Sequence, residues 1–181
     1  MSQMGQYGGH YFVCYDLQWG GKHHPDIPVY FKTNLGHGKN KPHSALETDE
    51  SNLSAFLLQH FFEVQRRLLS PPEVTHKIAD NTLEVTLRFD SDNPAESGRI
   101  WWMFDRGTDG SGAYLNKFFP DDQWLEMTAD KENGIWTAEI PLTGSAKTID
   151  FYSNHRKTIG YKGEDYPSYL SSAYRRISLK N

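Results

Sequence analysis

The sequence has little cysteine, no concentration of positive charge and no long hydrophobic run. Cys14 is the only cysteine among 181 residues, so the chain cannot form an internal disulfide bond. The formal net charge is −4, and no window is rich in Lys and Arg as phosphate-binding surfaces are. No segment approaches the ~20 apolar residues of a membrane span, and residues 1–14 lack the features of a signal peptide. Neither nucleic acid nor a membrane is predicted as a partner, and the compartment stays open.

The chain nevertheless has enough apolar material to fold, and its composition divides into two parts. Hydrophobic residues make up 37% and aromatic residues 14%, which suffices for one large domain or two small ones. Six of the eight histidines lie in the first 70 residues: His10, His23, His24, His37, His43 and His60. A helix cannot cross Pro71 and Pro72, because proline lacks the amide proton. The sequence therefore predicts two domains, residues 1–70 and residues 71–181.

The first part has the pattern of an α/β sheet. Residues 10–15 and 28–31 are short apolar runs, typical of strands buried on both faces. Over residues 51–69 apolar side chains recur at spacings of three and four, which predicts an amphipathic helix of about five turns. Two strands and one helix cannot cover such a sheet on both faces. We therefore expect this part to be the end of a larger domain.

A histidine flanked by glycines follows the second of these strands. The segment Gly36-His37-Gly38 comes directly after "VYFKTNL". Glycine on both sides removes the Cβ atoms that restrict the backbone, so the histidine ring can stand uncrowded at the tip of a tight loop. This loop is the first candidate for a functional site.

The order of strand, Gly-His-Gly loop and long helix "SAFLLQHFFEVQRRL" resembles the C-terminal end of the α/β-hydrolase fold. The resemblance covers about residues 10–69. It implies a serine hydrolase, such as an esterase, that acts on an ester or peptide bond, with residues 52–69 as the closing helix. It makes His37 the general base, since a neutral imidazole can take a proton from a serine hydroxyl. Asp16, at the end of a strand, is the candidate for the orienting acid, and Asp26 is the alternative.

The nucleophile that this resemblance requires is absent from the sequence. An α/β-hydrolase carries its serine on a G-x-S-x-G elbow upstream of the histidine. "MSQMG" has no small residue after the serine, and "GTDGSGAY" lies downstream of His37. The chain is therefore expected to be the C-terminal portion of a hydrolase or a degenerate copy, inactive on its own. A small-molecule or peptide substrate is expected of the complete enzyme, and no cofactor is predicted.

Two other interpretations of His37 remain open. It can be a loop histidine in a glycine turn with no chemical role. It can also belong to a metal site with His23, His24 and Asp26, although adjacent histidines on an extended segment point in opposite directions. No metal is predicted on this ground.

The second part changes to the period of strands. In residues 81–89 apolar and polar side chains alternate, which predicts a strand with one face buried and the other exposed to solvent. Seven strands are predicted, at residues 74–78, 81–89, 99–104, 124–128, 135–142, 148–152 and 174–179. Turn signals separate them, which favours an all-β antiparallel sandwich of the immunoglobulin-like kind. The pattern "WLEMTADKENGIWTAEIPL" resembles the β-rich extensions of PhoPQ-activated pathogenicity-related proteins and accessory sandwich domains of carbohydrate-active enzymes.

The tryptophans bear on a second function, a non-catalytic module that binds carbohydrate or a protein. A sugar platform needs exposed, coplanar aromatic rings. Trp101, Trp102, Trp124 and Trp136 all fall in predicted strands, where alternation buries at least one of the adjacent pair. Core packing is the expected role of each. Carbohydrate contact on the sandwich remains the alternative to the hydrolase function.

Overall fold

The computed structural model describes residues 5–7, 23, 26–34, 43–45, 47, 51–62, 64, 66–106 and 119–179. Strands take up about half of these residues. They are β1 Gly5–Tyr7, β2 Tyr30–Lys32, β3 Glu73–Ala79, β4 Thr82–Arg88, β5 Ser97–Phe104, β6 Trp124–Glu126, β7 Thr128–Asp130, β8 Ile135–Pro141, β9 Thr148–Tyr161, β10 Glu164–Ser171 and β11 Arg175–Ser178. Helix α1 spans Asn52–Phe61. Within these ranges, no helix is long and apolar enough to cross a membrane.

Two antiparallel sheets form most of the described chain. The four-stranded sheet has the order β3-β4-β8-β7. The five-stranded sheet has the order β10-β9-β5-β6, and β11 pairs with the first residues of β9. The β3–β4 hairpin turns on Asp80 and Asn81, whose φ angles of 48° and 60° suit a two-residue turn with left-handed residues. The outer pairs β3–β4, β7–β8 and β9–β10 are neighbours in the sequence, whereas the central pairs β4–β8 and β5–β9 join strands that are far apart in the chain.

The main core lies between the two sheets. Alternate side chains of β4, Leu83, Val85 and Leu87, point inward and are almost completely buried. They belong to one apolar cluster with residues of the five-stranded sheet, among them Ile100 and Phe151. The alternation predicted for residues 81–89 is confirmed, because one side of β4 is removed from water and the other is left wet.

The outer face of the five-stranded sheet is also apolar, and residues from the first part of the chain cover it. Trp101 and Tyr152 on this face form a second cluster with Phe31 of β2 and with Phe119. The Phe31 N–H donates to Ser171 Oγ at 2.7 Å, which fixes β2 beside the end of β10. Buried aromatic contact therefore joins the N-terminal residues to the sandwich.

Helix α1 closes the open edge of β10. The side-chain amide of Asn52 acts as a neighbouring strand would: its oxygen accepts the Tyr169 N–H at 2.6 Å and its nitrogen donates to the Tyr169 carbonyl at 3.3 Å. Ser51 Oγ donates to the Pro167 carbonyl at 2.5 Å, and the Val29 carbonyl accepts the Ser171 N–H at 2.7 Å. Paired edge groups are not free to join another chain.

The predicted α/β terminal segment followed by a sandwich is wrong as a fold class, since the described chain consists mostly of antiparallel sheets. Among the described N-terminal residues, β1 pairs with β2 in parallel over three residues each, and the strand predicted at residues 10–15 lies outside the described residues. Tyr30 and Phe31 are buried against the five-stranded sheet and not within a larger parallel sheet. Helix α1 packs on the β9–β10 hairpin, where Ala55 and Leu58 contact Ile159.

The helix is also shorter than predicted. It ends at Phe61, whereas the periodicity predicted helix to residue 69. Beyond it the chain turns back, and Gln59 Oε1 accepts the Leu68 N–H at 3.0 Å. Leu69 then enters the main core. The contacts of Leu68 and Leu69 with the rest of the fold outweigh the local preference for helix.

Charged groups add further contacts across the predicted boundary at residue 70. Glu47 lies 3.6 Å from Arg99 and 4.0 Å from Arg156. Arg66 donates to Glu96 at 3.2 Å. The division into residues 1–70 and 71–181 stays a prediction, and ion pairs and apolar clusters connect the two ranges.

Candidate interaction site on helix α1

The predicted catalytic pair, His37 and Asp16, lies outside the described residues. The nearest described residue before the glycine loop is Asn34, whose side chain accepts the Phe119 N–H at 2.8 Å and donates to its carbonyl at 2.7 Å. Asp26, the alternative acid, is exposed and borders a pocket beside α1. The roles of His37 and Asp16 therefore stay predictions.

No metal centre is found in the described part of the chain. Groups of three or more His, Cys, Asp or Glu side chains that could hold an ion do not occur there. His23 and Asp26 are both exposed, while His24 and His37 lie outside the described residues. The four residues of the hypothetical metal site are thus not seen together.

A serine and a histidine do meet in the core. Ser153 Oγ and His155 Nε2 lie 2.8 Å apart, and the other ring nitrogen is 3.2 Å from the Ser97 carbonyl. Both side chains are completely buried, and the His155 ring packs edge-on against Phe89. Burial lowers the pKa of His155 to about 3, so the ring is neutral at physiological pH. A substrate cannot reach this pair, and its role is to satisfy polar groups inside the core.

Three tryptophans are core residues, as the strand alternation predicts. Trp101, Trp102 and Trp136 are each less than a tenth exposed. Trp124 is half-buried, with the Arg99 guanidinium over its ring at 5.5 Å. These four rings do not form an exposed coplanar pair. Carbohydrate contact on the sandwich remains a prediction without a site among the described residues.

Helix α1 carries three of the six large apolar side chains that are exposed in the described part of the chain. Leu53, Leu57 and Phe61 are 64%, 41% and 73% exposed. They stand four residues apart and therefore form one line along the helix, which we call the exposed stripe. Phe62, 50% exposed, follows the helix end, and its ring lies 5.4 Å from that of Tyr161. A contiguous line of exposed apolar side chains makes α1 the candidate interaction site.

The local sequence explains why the helix has two apolar sides. The segment "NLSAFLLQHF" contains no Asp, Glu, Lys or Arg. Its buried side consists of Asn52, Ala55 and Leu58, which face β9 and β10. Once these positions are turned to the sandwich, the leucines and the phenylalanine of the exposed stripe face water. A helix apolar on most of its circumference is suited to burial on more than one side.

A pocket opens next to the exposed stripe. It has a volume of about 230 Å³ and lies between α1, residues 67–71 and residues 168–170 of β10. Phe56 and His60 form its wall on the helix, with their ring centroids 4.4 Å apart. His60 is exposed at this wall. The stripe and the pocket are adjacent features of the same helix.

The absence of charged residues in the helix indicated this site, whereas the helical period did not. An amphipathic helix turns its apolar side chains toward the core, yet Leu53, Leu57 and Phe61 are exposed. The absence of charge over residues 52–61 was the better indicator, because an ordinary surface helix has a charged face. The pocket had no such signal, since it joins segments far apart in the chain.

Comparisons with protein-family models, curated proteins and solved structures gave no match.

Proposed function

We propose that this protein is a non-catalytic binding module that holds a protein partner on the exposed stripe of α1. The observation that carries the proposal is the exposure of Leu53, Leu57 and Phe61 in one line on a helix that is otherwise firmly seated. Apolar surface of this extent is unfavourable in water, and a partner that covers it gains roughly 25 cal/mol for each Å² buried.

The sandwich acts as the scaffold in this proposal, and its strand order supports an immunoglobulin-like type. The first, second, sixth and fifth of its strands form one sheet, β3-β4-β8-β7, while β9 lies between β5 and the pair β10 and β11 in the other. Immunoglobulin-like sandwiches divide their strands in this way. Such folds host many unrelated functions, so the argument for binding rests on α1 and not on the fold.

The chemistry of the stripe favours a protein over a carbohydrate. Sugars stack on flat, exposed aromatic rings, whereas two of the three stripe side chains are leucines. A line of residues at i, i+4 and i+8 forms a ridge, and the groove of a second helix or an apolar cleft accepts a ridge of this spacing. A partner with an apolar groove therefore fits the site.

Hydrolysis of an ester or peptide bond stays a prediction from the resemblance. It requires His37 and Asp16, which lie outside the described residues, and a nucleophile that the sequence does not supply. The described geometry offers a surface for association in place of a catalytic constellation. Binding is therefore the function that the described residues support best.

Site-specific photocrosslinking tests the proposal. The photoreactive residue p-benzoylphenylalanine replaces Leu57 in one protein and Glu139, an exposed residue on the four-stranded sheet, in a matched control. In a lysate of the source cells we expect a discrete crosslinked protein from position 57 and none of that size from position 139. The protein identified in this crosslink, purified in its uncrosslinked form, must then bind the unmodified chain.

Two results would overturn this function. One is identical crosslinking from both positions, since it would mean that contact with α1 is nonspecific. The other is retardation of the chain in a polysaccharide gel, unaffected by Leu57→Asp, with no crosslinked protein from position 57. That pattern would favour the carbohydrate-binding alternative.

A further inference from the structure

The pocket beside α1 is built from segments that are distant in the sequence. Helix α1 supplies Phe56 and Gln59, the following chain supplies Leu68 and Leu69, and β10 supplies Leu170. Pro28 and Pro71 complete the apolar lining. These segments are held by the Asn52 and Gln59 hydrogen bonds described above, so the pocket is part of the folded structure.

Two polar side chains of its lining, Gln59 and Arg67, have partners elsewhere in the fold. Gln59 Oε1 accepts the Leu68 N–H at 3.0 Å. Arg67 lies 3.8 Å from Asp90 in an ion pair whose members are both more than half exposed. The charged members of the lining, Asp26 and Arg67, are both exposed, and the other described lining residues include the apolar and aromatic side chains named above. A charged group buried among these apolar side chains would lose its hydration.

The volume suits a single aromatic ring system. An engineered apolar cavity of ~150 Å³ in another protein binds benzene, and this pocket measures about 230 Å³. The Phe56 and His60 rings lie at an angle of 54° to each other, so a third ring can pack edge-on or offset against either. A ring the size of phenol or indole is therefore accommodated.

We infer that this pocket takes one uncharged aromatic side chain of the protein that covers the exposed stripe. The inference rests on the proposed function and names the anchor residue of the partner. Phe56 and His60 in the pocket wall stand three and seven residues after Leu53, so the wall lies beside the stripe on the helix surface. A protein lying on the stripe therefore reaches the pocket mouth, and a buried aromatic anchor is the usual centre of such an interface.

Titration of the full chain with two small probes, followed by two-dimensional ¹H–¹⁵N NMR, tests the inference without the partner. Indole represents the bare ring, and N-acetyl-tryptophanamide represents the ring attached to a peptide backbone. We expect both to shift the amides of Phe56, Gln59 and Leu69, with dissociation constants of roughly 1 mM or tighter. Ser70→Trp fills the pocket from its rim and should weaken both probes about tenfold or more.

Two further variants keep the test decisive. Phe56→Leu retains apolar volume but removes one aromatic wall, so it should weaken indole several-fold even if Ser70→Trp lowers the melting temperature. Glu139→Ala changes an exposed residue on the four-stranded sheet that belongs to neither the stripe nor the pocket lining, so indole should bind it as it binds the original chain.

The outcomes separate the inference from the proposed function. Absence of shifts at the pocket amides, binding that neither pocket variant changes, or binding of indole without N-acetyl-tryptophanamide would overturn the aromatic anchor. Any of these could occur while the crosslinked partner still depends on Leu57. Conversely, the stripe could fail to bind a protein although indole enters the pocket, and the proposed function would then fall.

Discussion

Among single residues, His155 couples the stability of the core to pH. Its pKa is about 3 in the folded chain, because burial disfavours the charged ring, and ~6.5 in an unfolded chain. Between these values only the unfolded chain takes up the proton. The stabilisation that His155 contributes is therefore complete above about pH 6.5 and is lost as the pH falls toward 3.

We expect the free energy of unfolding to decrease by up to about 1.4 kcal/mol for each pH unit through this range. Urea unfolding at pH 7, 5 and 4 measures it. His76, whose pKa burial and Arg175 lower, adds a smaller change in the same direction. His155→Gln isolates the effect, since the variant should show a shallower pH dependence, and an equal slope in both proteins would refute the assignment.

Gly98 is required by the packing of the two aromatic rings beside it. A Cβ atom at this position would lie 2.6 Å from Trp136 Cε3 and 3.0 Å from His155 Cε1. Gly98→Ala should therefore destabilise by about 1–3 kcal/mol, the usual cost of overpacking a core. Gly144→Ala is the matched control, because nothing lies within 4 Å of its Cβ position. Equal urea midpoints for the two variants would contradict this account.

Among the secondary-structure elements, α1 depends on Asn52 for its attachment to β10. Replacement by alanine leaves the N–H and the carbonyl of Tyr169 without their partner. We expect Asn52→Ala to lower the free energy of unfolding by about 1–3 kcal/mol and to speed hydrogen exchange of the Tyr169 amide. The neighbouring Leu53→Ala, on an exposed side chain, should change stability by less than about 0.5 kcal/mol. Unchanged exchange at Tyr169 would show that the edge is held by other contacts.

Much of the strand content could be predicted from the sequence, because half-buried strands alternate. The predictions at residues 81–89, 99–104 and 135–142 correspond to β4, β5 and β8 within a few residues. Strand β10 was missed, since Pro167 interrupts its pattern and edge strands tolerate proline. Its hairpin turns on Lys162 and Gly163, both at positive φ, a weaker signal than Asn-Gly.

The N-terminal prediction failed for a different physical reason. Short apolar runs such as residues 28–31 indicate burial but do not specify what covers them. Phe31 is buried against Tyr152 and Phe119, more than 80 residues away in the chain. The spacing of Leu53, Leu57 and Phe61 likewise indicates an apolar helix side without determining which side meets the sandwich. Long-range packing decides both, and it is not encoded in local periodicity.

For the whole molecule, the five-stranded sheet needs cover on both faces. The four-stranded sheet covers one face, and residues from the first part of the chain cover the other. A chain limited to residues 71–181 would expose Trp101 and Tyr152 and would open the edge of β10. We expect it to melt at a lower temperature than the full chain and to self-associate, as measured by circular dichroism and sedimentation. An equally stable monomer would show that the N-terminal residues contribute little.

Binding of a protein to the exposed stripe of α1 is measured by calorimetric titration with the partner that crosslinking identifies, purified in its uncrosslinked form. The double variant Leu57→Ser, Phe61→Ser removes apolar surface that is already exposed, so its fold and melting temperature should be preserved. We expect this variant to bind the partner at least about tenfold more weakly than the original chain, a loss of about 1.4 kcal/mol or more. A change in affinity of less than about twofold, with the fold intact, would contradict it.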